Sequence, residues 1–176
     1  MVGENGTVPF GLPDLILILS HPNPFIREVL MSWLPRKTIV VPIDFSDDSF
    51  LALDTAQELV DKPGHLHLIH VLPIITPNDP GVIWEMIDDQ SRSVHAEDAL
   101  RKKLAHQTAD GSHVAIRFGD PGHQIVDYAQ EVHADLIALS SHGQTGLTRL
   151  LLGSVAEKVV RLAHCPVLVL KKAAKS

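Results

Sequence analysis

Two short stretches carry the residue types from which a ligand site could be built. One is Pro42-Ile43-Asp44-Phe45-Ser46, a carboxylate and a hydroxyl at the end of an apolar, β-branched run. The other, Ser140 to Ser154, reads SSHGQTGLTRLLLGS and mixes glycines with hydroxyls. Glycine lets a ligand approach the backbone closely and takes φ > 0 freely, so Gly143 and Gly146 can shape a loop. Gly153-Ser154 falls where a helical pattern begins, and the free N–H groups of a helix start attract anions. Ser154 can cap that helix or donate to a phosphate oxygen. A phosphate site and an ordinary capped turn both fit these residues, since glycine spacing alone is weakly specific. A Walker loop does not fit: no Gly-Lys-Ser/Thr occurs, and Lys158 follows the helix start.

Other reactive side chains assemble less well. His65, His67 and His70 lie on one apolar run, where the first two share a face. They have no evident third or fourth ligand for a tetrahedral metal and read as surface or strand-end residues. His142 sits inside the glycine loop and reads as a brace for it. The single cysteine, Cys165, excludes an internal disulfide and reads as a small apolar residue before Pro166. No nucleophile, base and orienting group come together, so the chain is not read as a fast catalyst.

The elements that must position these residues alternate between two periods. Thr38 to Asp44 is apolar on both faces, which suits a buried parallel strand. Ser46 or Asp47 can cap a helix that carries Leu51, Ala52, Ala56, Leu59 and Val60 and stops at Lys62-Pro63-Gly64. Leu66 to Leu72 is a second strand, Gly81 to His106 a long charged helix, and Val114 to Phe118 a third strand. Asp120 or Pro121 opens a helix ending near His133, followed by a fourth strand, Leu136 to Leu139. The glycine loop and its helix lead to the fifth, Pro166 to Leu170. Strands alternating with helices give an α/β fold, a parallel sheet covered on both faces, and ligands in such sheets bind where strand order reverses.

Residues 1–35 differ: Pro9, Pro13, Pro22, Pro24 and Pro35 break the apolar pattern repeatedly. They are expected to form an extension, poorly ordered or loosely docked, before a domain over 36–172 and a basic tail over 173–176. Met31 lies just upstream of the first clear strand, and a chain starting there would be a compact domain. A net charge of −6 argues against a nucleic-acid binder, which needs a basic face. No run approaches the ~20 apolar residues of a membrane span, and Leu15 to Leu19 makes a poor signal peptide. A cytoplasmic location is expected.

The segments TIVVPIDFSDDS, GDPGHQIVDYAQEVHADLIALSSHG and GSVAEKVVRLAHCPVLVLK resemble the universal stress protein family, in that family's order, over about Arg36 to Lys172. Its ATP-binding members carry Gly-x2-Gly-x9-Gly-Ser/Thr, which corresponds here to Ser140, Gly143 and Gly153-Ser154. The resemblance implies a five-stranded, Rossmann-like sheet in the order 3-2-1-4-5, with the first and fourth strands flanking the site. It implies that Pro42 and Asp44 meet the adenine side and that Val71 lines the base pocket. Leu139 and Ser140 would lie near the nucleoside, and Gly143, Gly153, Ser154 and Val155 around the phosphates. Plainer readings are a helix cap for Asp44 and core for Val71. Asp44 can help hold Mg²⁺ or Mn²⁺ on a bound triphosphate, because hard cations prefer carboxylate oxygen. Ser140 departs from the family glycine; its Cβ is strained if the position needs φ > 0 and obstructive if it needs close approach. The resemblance implies an ATP-binding protein of stress adaptation or signalling, acting through conformation or an unidentified protein partner. A homodimer is expected through the fifth strand, Val167 to Leu170, which lies at a sheet edge in that order. The rival readings are a dimeric interaction module that binds no nucleotide, and a slow ATPase.

Overall fold

The computed structural model describes residues 16–19, 36–62, 65–75, 88–104, 111–141 and 152–170. Within them six strands, β1 Ile16–Leu19, β2 Ile39–Pro42, β3 Leu66–Leu72, β4 His113–Phe118, β5 Leu136–Ser140 and β6 Val167–Leu170, form one parallel sheet ordered β1-β6-β5-β2-β3-β4. The described helices are α1 Asp47–Leu59, α2 Asp89–Leu104, α3 Pro121–Glu131 and α4 Ser154–Leu162. The five expected strands therefore stand in the expected 3-2-1-4-5 order, and β1 adds a sixth. The outer ends of the long helix expected over Gly81–His106 lie outside the described residues.

The strands are apolar on both faces because both faces are covered. Successive side chains point to opposite sides of a strand, so one strand feeds two cores. Ile39, Val41, Leu66, Leu68, Ala138 and Leu168 pack on the side of α1 and α2. Val40, Ile69, Ile137, Leu139, Val167 and Val169 pack on the side of α3 and α4. Full burial of an aliphatic side chain contributes roughly 1.5–3 kcal/mol, so these two layers hold the sheet. The start of β2 is tied to the start of β5: Lys37 and Thr38 N–H groups donate to the Asp135 carboxylate at 2.9 and 3.3 Å.

Helix ends follow local chemistry. Ser46 caps α1, its Oγ accepting from Ser49 N–H at 3.1 Å. Asp120 caps α3, with Pro121 as its first residue and His123 N–H donating to the carboxylate at 3.0 Å. The α3 C-terminus closes with Ala134 N–H bonded to Ala129 O and His133 N–H to Gln130 O, with His133 left-handed at φ 52°.

Helices α3 and α4 pack close together at Gly122. A Cβ there would lie 2.9, 2.8 and 2.5 Å from Cβ, Cγ and Cδ of Lys158. Gly122→Ala is expected to cost about 1–3 kcal/mol, as overpacking does, because the Lys158 stem must move. The Lys158 Nζ–Asp120 Oδ2 bond of 2.8 Å would be disturbed with it. A melting temperature equal to wild type would show that α4 yields freely.

One stretch of the expected extension is described. Ile16–Leu19 is a strand, paired in parallel with β6 from Ile16↔Val167 to Leu19↔Leu170. The remainder of 1–35 lies outside the described residues. Pro13 and Pro22 bracket a run free of proline, which leaves room for one short edge strand. An apolar strand edge attracts a partner, and here the partner comes from the same chain. The Val167–Leu170 edge, expected to be open for a second copy, is therefore covered by β1.

Candidate functional site

Chain order reverses between β2 and β5. From β2 the chain moves outward to β3 and β4, then returns to the other flank of β2 as β5. Neighbouring connections diverge at the carboxyl ends of these two strands and leave a crevice. A cavity of about 270 Å³ opens there. Pro42 and Asp44 line it from the end of β2, and Val71 from the end of β3. Leu139 and Ser140 line it from β5, and Gly153, Ser154 and Val155 from the start of α4. Gly143 lies outside the described residues.

Each wall has a local cause. Asp44 sits two residues past β2 in a tight turn: Ser46 N–H and Ser46 Oγ–H both donate to Asp44 Oδ1, at 3.0 and 2.5 Å. Phe45 takes φ 65°, a left-handed conformation that costs an L residue about 1–2 kcal/mol. That strain turns the chain sharply from β2 into α1. On the opposite wall, Ser141 N–H donates to Leu170 O at 2.7 Å and Gly153 N–H to Ser141 O at 2.8 Å. These bonds bring the two ends of the glycine loop together.

Helix α4 starts on Gly153, with φ −62° and ψ 151° and no side-chain capping bond. Ser154 is thus the first helical residue rather than the cap that its type suggests. Gly153 needs no left-handed backbone, so its use is the absence of a side chain at the crevice. Ser140 is likewise extended, as the last residue of β5, and is not among the described residues with positive φ. The strain considered for its Cβ does not arise, and only its bulk remains.

Ile43, Ile69 and Ile125 add apolar surface to the cavity, while Ser49, Ser141 and His70 add polar groups. None of its described lining residues is Lys or Arg. Lys158, one turn into α4, bonds Asp120, whose carboxyl is held at about 2, first by that bond and then by the His123 N–H. The folded-state value is depressed, so this contribution to stability is full above the ordinary value of 3.8 and fades as pH falls towards 2. Among the described lining, positive potential comes from the backbone N–H groups at the α4 start.

The other described histidines do not line the cavity, and His142 lies outside the described residues. His65 Nδ1 lies 2.6 Å from Asp61 Oδ1. His67 stacks on His113 with ring centres 4.7 Å apart, and burial, then His113 and His65, lower its pKa. Among the described residues no group of three or more His, Cys, Asp or Glu side chains is arranged to hold a metal. Burial pushes the Cys165 thiol up to about 11, which leaves it protonated and unreactive at neutral pH. His70, expected as a surface or strand-end residue, lines the cavity; its place after Ile69, one residue before Val71, is the signal the sequence offers.

Fold and crevice define a doubly wound α/β domain with a cleft at its switch point. A family model described as "Universal stress protein family" matches residues 35–171, and the chain belongs to that family. Universal stress protein MJ0531 of Methanocaldococcus jannaschii is 38% identical over 145 residues, covering 79% of this chain and 84% of that protein. The solved universal stress protein UspA from Lactobacillus plantarum is similar at a TM-score of 0.59 and 32% identity, over 76% of this chain and 97% of that one. A universal stress protein solved in complex with cAMP is similar at a TM-score of 0.50 and 26% identity, over 78% of this chain and 98% of that one. No helix among the described residues is long and apolar enough to cross a membrane.

Proposed function

We propose that this chain binds ATP, with Mg²⁺ or Mn²⁺, in the crevice between β2 and β5, and acts in cytoplasmic stress adaptation or signalling. The observation that carries the reading is the pairing of Asp44 with an α4 start that has no side-chain cap, across one cavity. A base suits the apolar wall of Ile43, Ile69, Val71, Ile125 and Leu139. The volume of about 270 Å³ falls just below the usual ~300–1,000 Å³ of small-molecule sites. It suits a nucleoside with its phosphates projecting past Gly153. Asp44 and a triphosphate repel each other unless a cation lies between them. Asp44 would help hold a hard divalent ion, whose charge would offset that repulsion. The family member solved with cAMP supports an adenine nucleotide as the ligand class.

The nucleotide biases conformation or a partner contact. Asp44 would serve the cation rather than activate water. Two copies pair through β6 once Ile16–Leu19 leaves that edge. Heat release of bound ligand from purified protein, read by mass spectrometry, tests the ligand class. An adenine nucleotide is expected, and a different ligand would replace this reading.

Ser140→Gly is expected to tighten ATP binding a few-fold. Removing the hydroxymethyl group lets the nucleoside sit deeper, while added glycine freedom offsets about 0.5–1 kcal/mol of the gain. Calorimetric titration decides the sign; weaker binding would mean that the hydroxyl itself holds the ligand.

A further inference from the structure

Resting on the nucleotide reading above, the geometry points to His70 as the positioning residue for Asp44. His70 Nδ1 lies 2.6 Å from the backbone oxygen of Ile43. A carbonyl only accepts, so Nδ1 carries the proton and donates it. The preceding residue of β3 grips the same place from the other side, because Ile43 N–H donates to Ile69 O at 2.8 Å. Ile43 is 2% exposed, so water competes poorly for either bond.

The same imidazole reaches past Asp44. Its ring meets that of Phe45 edge-on, with centres 4.8 Å apart and planes at 74°. Phe45 is the residue held at φ 65°. His70 thus fastens the residue before Asp44 by a hydrogen bond and the residue after it by a ring contact. With both neighbours fixed, the Asp44 carboxylate has one direction, which its two bonds from Ser46 complete. His70 acts on the ligand through Asp44.

The two contacts separate by substitution. Asparagine carries its amide nitrogen on Cγ, as histidine carries Nδ1, and can still donate to Ile43 O. Phenylalanine keeps a ring against Phe45 and loses the donor. His70→Phe is expected to raise the Kd for Mg-ATP about tenfold, the size of one lost hydrogen bond. It should also speed amide exchange at Ser46 in the ligand-free protein. His70→Asn should stay within about threefold of wild type in both measurements, half a decade or less in Kd. Equal affinity and exchange in wild type and His70→Phe would overturn the proposal, as would an Asn variant as impaired as the Phe variant. If His70→Phe does not fold, His70→Leu removes the donor with a smaller apolar side chain and is expected to speed Ser46 exchange likewise, while His70→Asn does not. If wild type binds no ATP while His70→Phe still speeds that exchange, the positioning role stands and the nucleotide reading falls.

Discussion

Asp44→Ala is expected to weaken ATP binding by about 10- to 100-fold with Mg²⁺ present, and by much less in EDTA. A hydrogen bond or ion contact to a charged group is worth about 1.5–3 kcal/mol, and 1.4 kcal/mol is tenfold in Kd. The carboxylate attracts the cation and repels bare phosphate, so the loss must depend on the metal. Alanine also removes the acceptor of two Ser46 bonds. Asp44→Asn keeps a side-chain oxygen for Ser46 without the charge, and should bind Mg-ATP nearly as poorly as the Ala variant. Gly153→Val should weaken binding at least about tenfold through bulk at the helix start. Its φ of −62° and ψ of 151° are open to valine, so the fold should survive. Calorimetry checks all three variants. Full affinity in both Asp44→Ala and Gly153→Val would remove the site as drawn.

Removing residues 1–30 is expected to leave a cooperatively folded domain and to shift the chain from monomer to dimer. The described core residues run from Ile39 to Leu170, so both apolar layers survive the truncation. What is lost among the described residues is β1, and with it the cover on Val167–Leu170. An uncovered apolar strand invites a second copy, and a twofold arrangement is the commonest closed solution. Light scattering at micromolar concentration should give twice the monomer mass for the truncated chain and a smaller mean mass for the full one. The same mass for both, or loss of cooperative unfolding on truncation, would contradict this.

The sheet was legible because its strands are apolar on both faces and its helices carry recognisable ends. Ser46, Asp120 and Pro121 announced two helix starts in the sequence and occupy those places. Asp44 and Gly153 could be set on one crevice because the family resemblance implied the strand order, and the cleft of a doubly wound sheet lies where that order reverses. Three features depend on contacts that spacing does not encode. Ile16–Leu19 finds its place only through pairing with a strand about 150 residues away. Ser154 has the residue type of a cap, but the turn into α4 closes one residue earlier, on Gly153. His70 gains its place from the Ile43 carbonyl and the Phe45 ring, 27 residues away at the carbonyl.

Backbone amide shifts during a titration with Mg-ATP test the central claim most directly. Saturable changes should gather at residues 43–46, 69–71, 139–141 and 153–156, at the facing ends of β2, β3, β5 and α4. Shifts centred elsewhere, or none at millimolar ATP, would contradict a nucleotide site in this crevice.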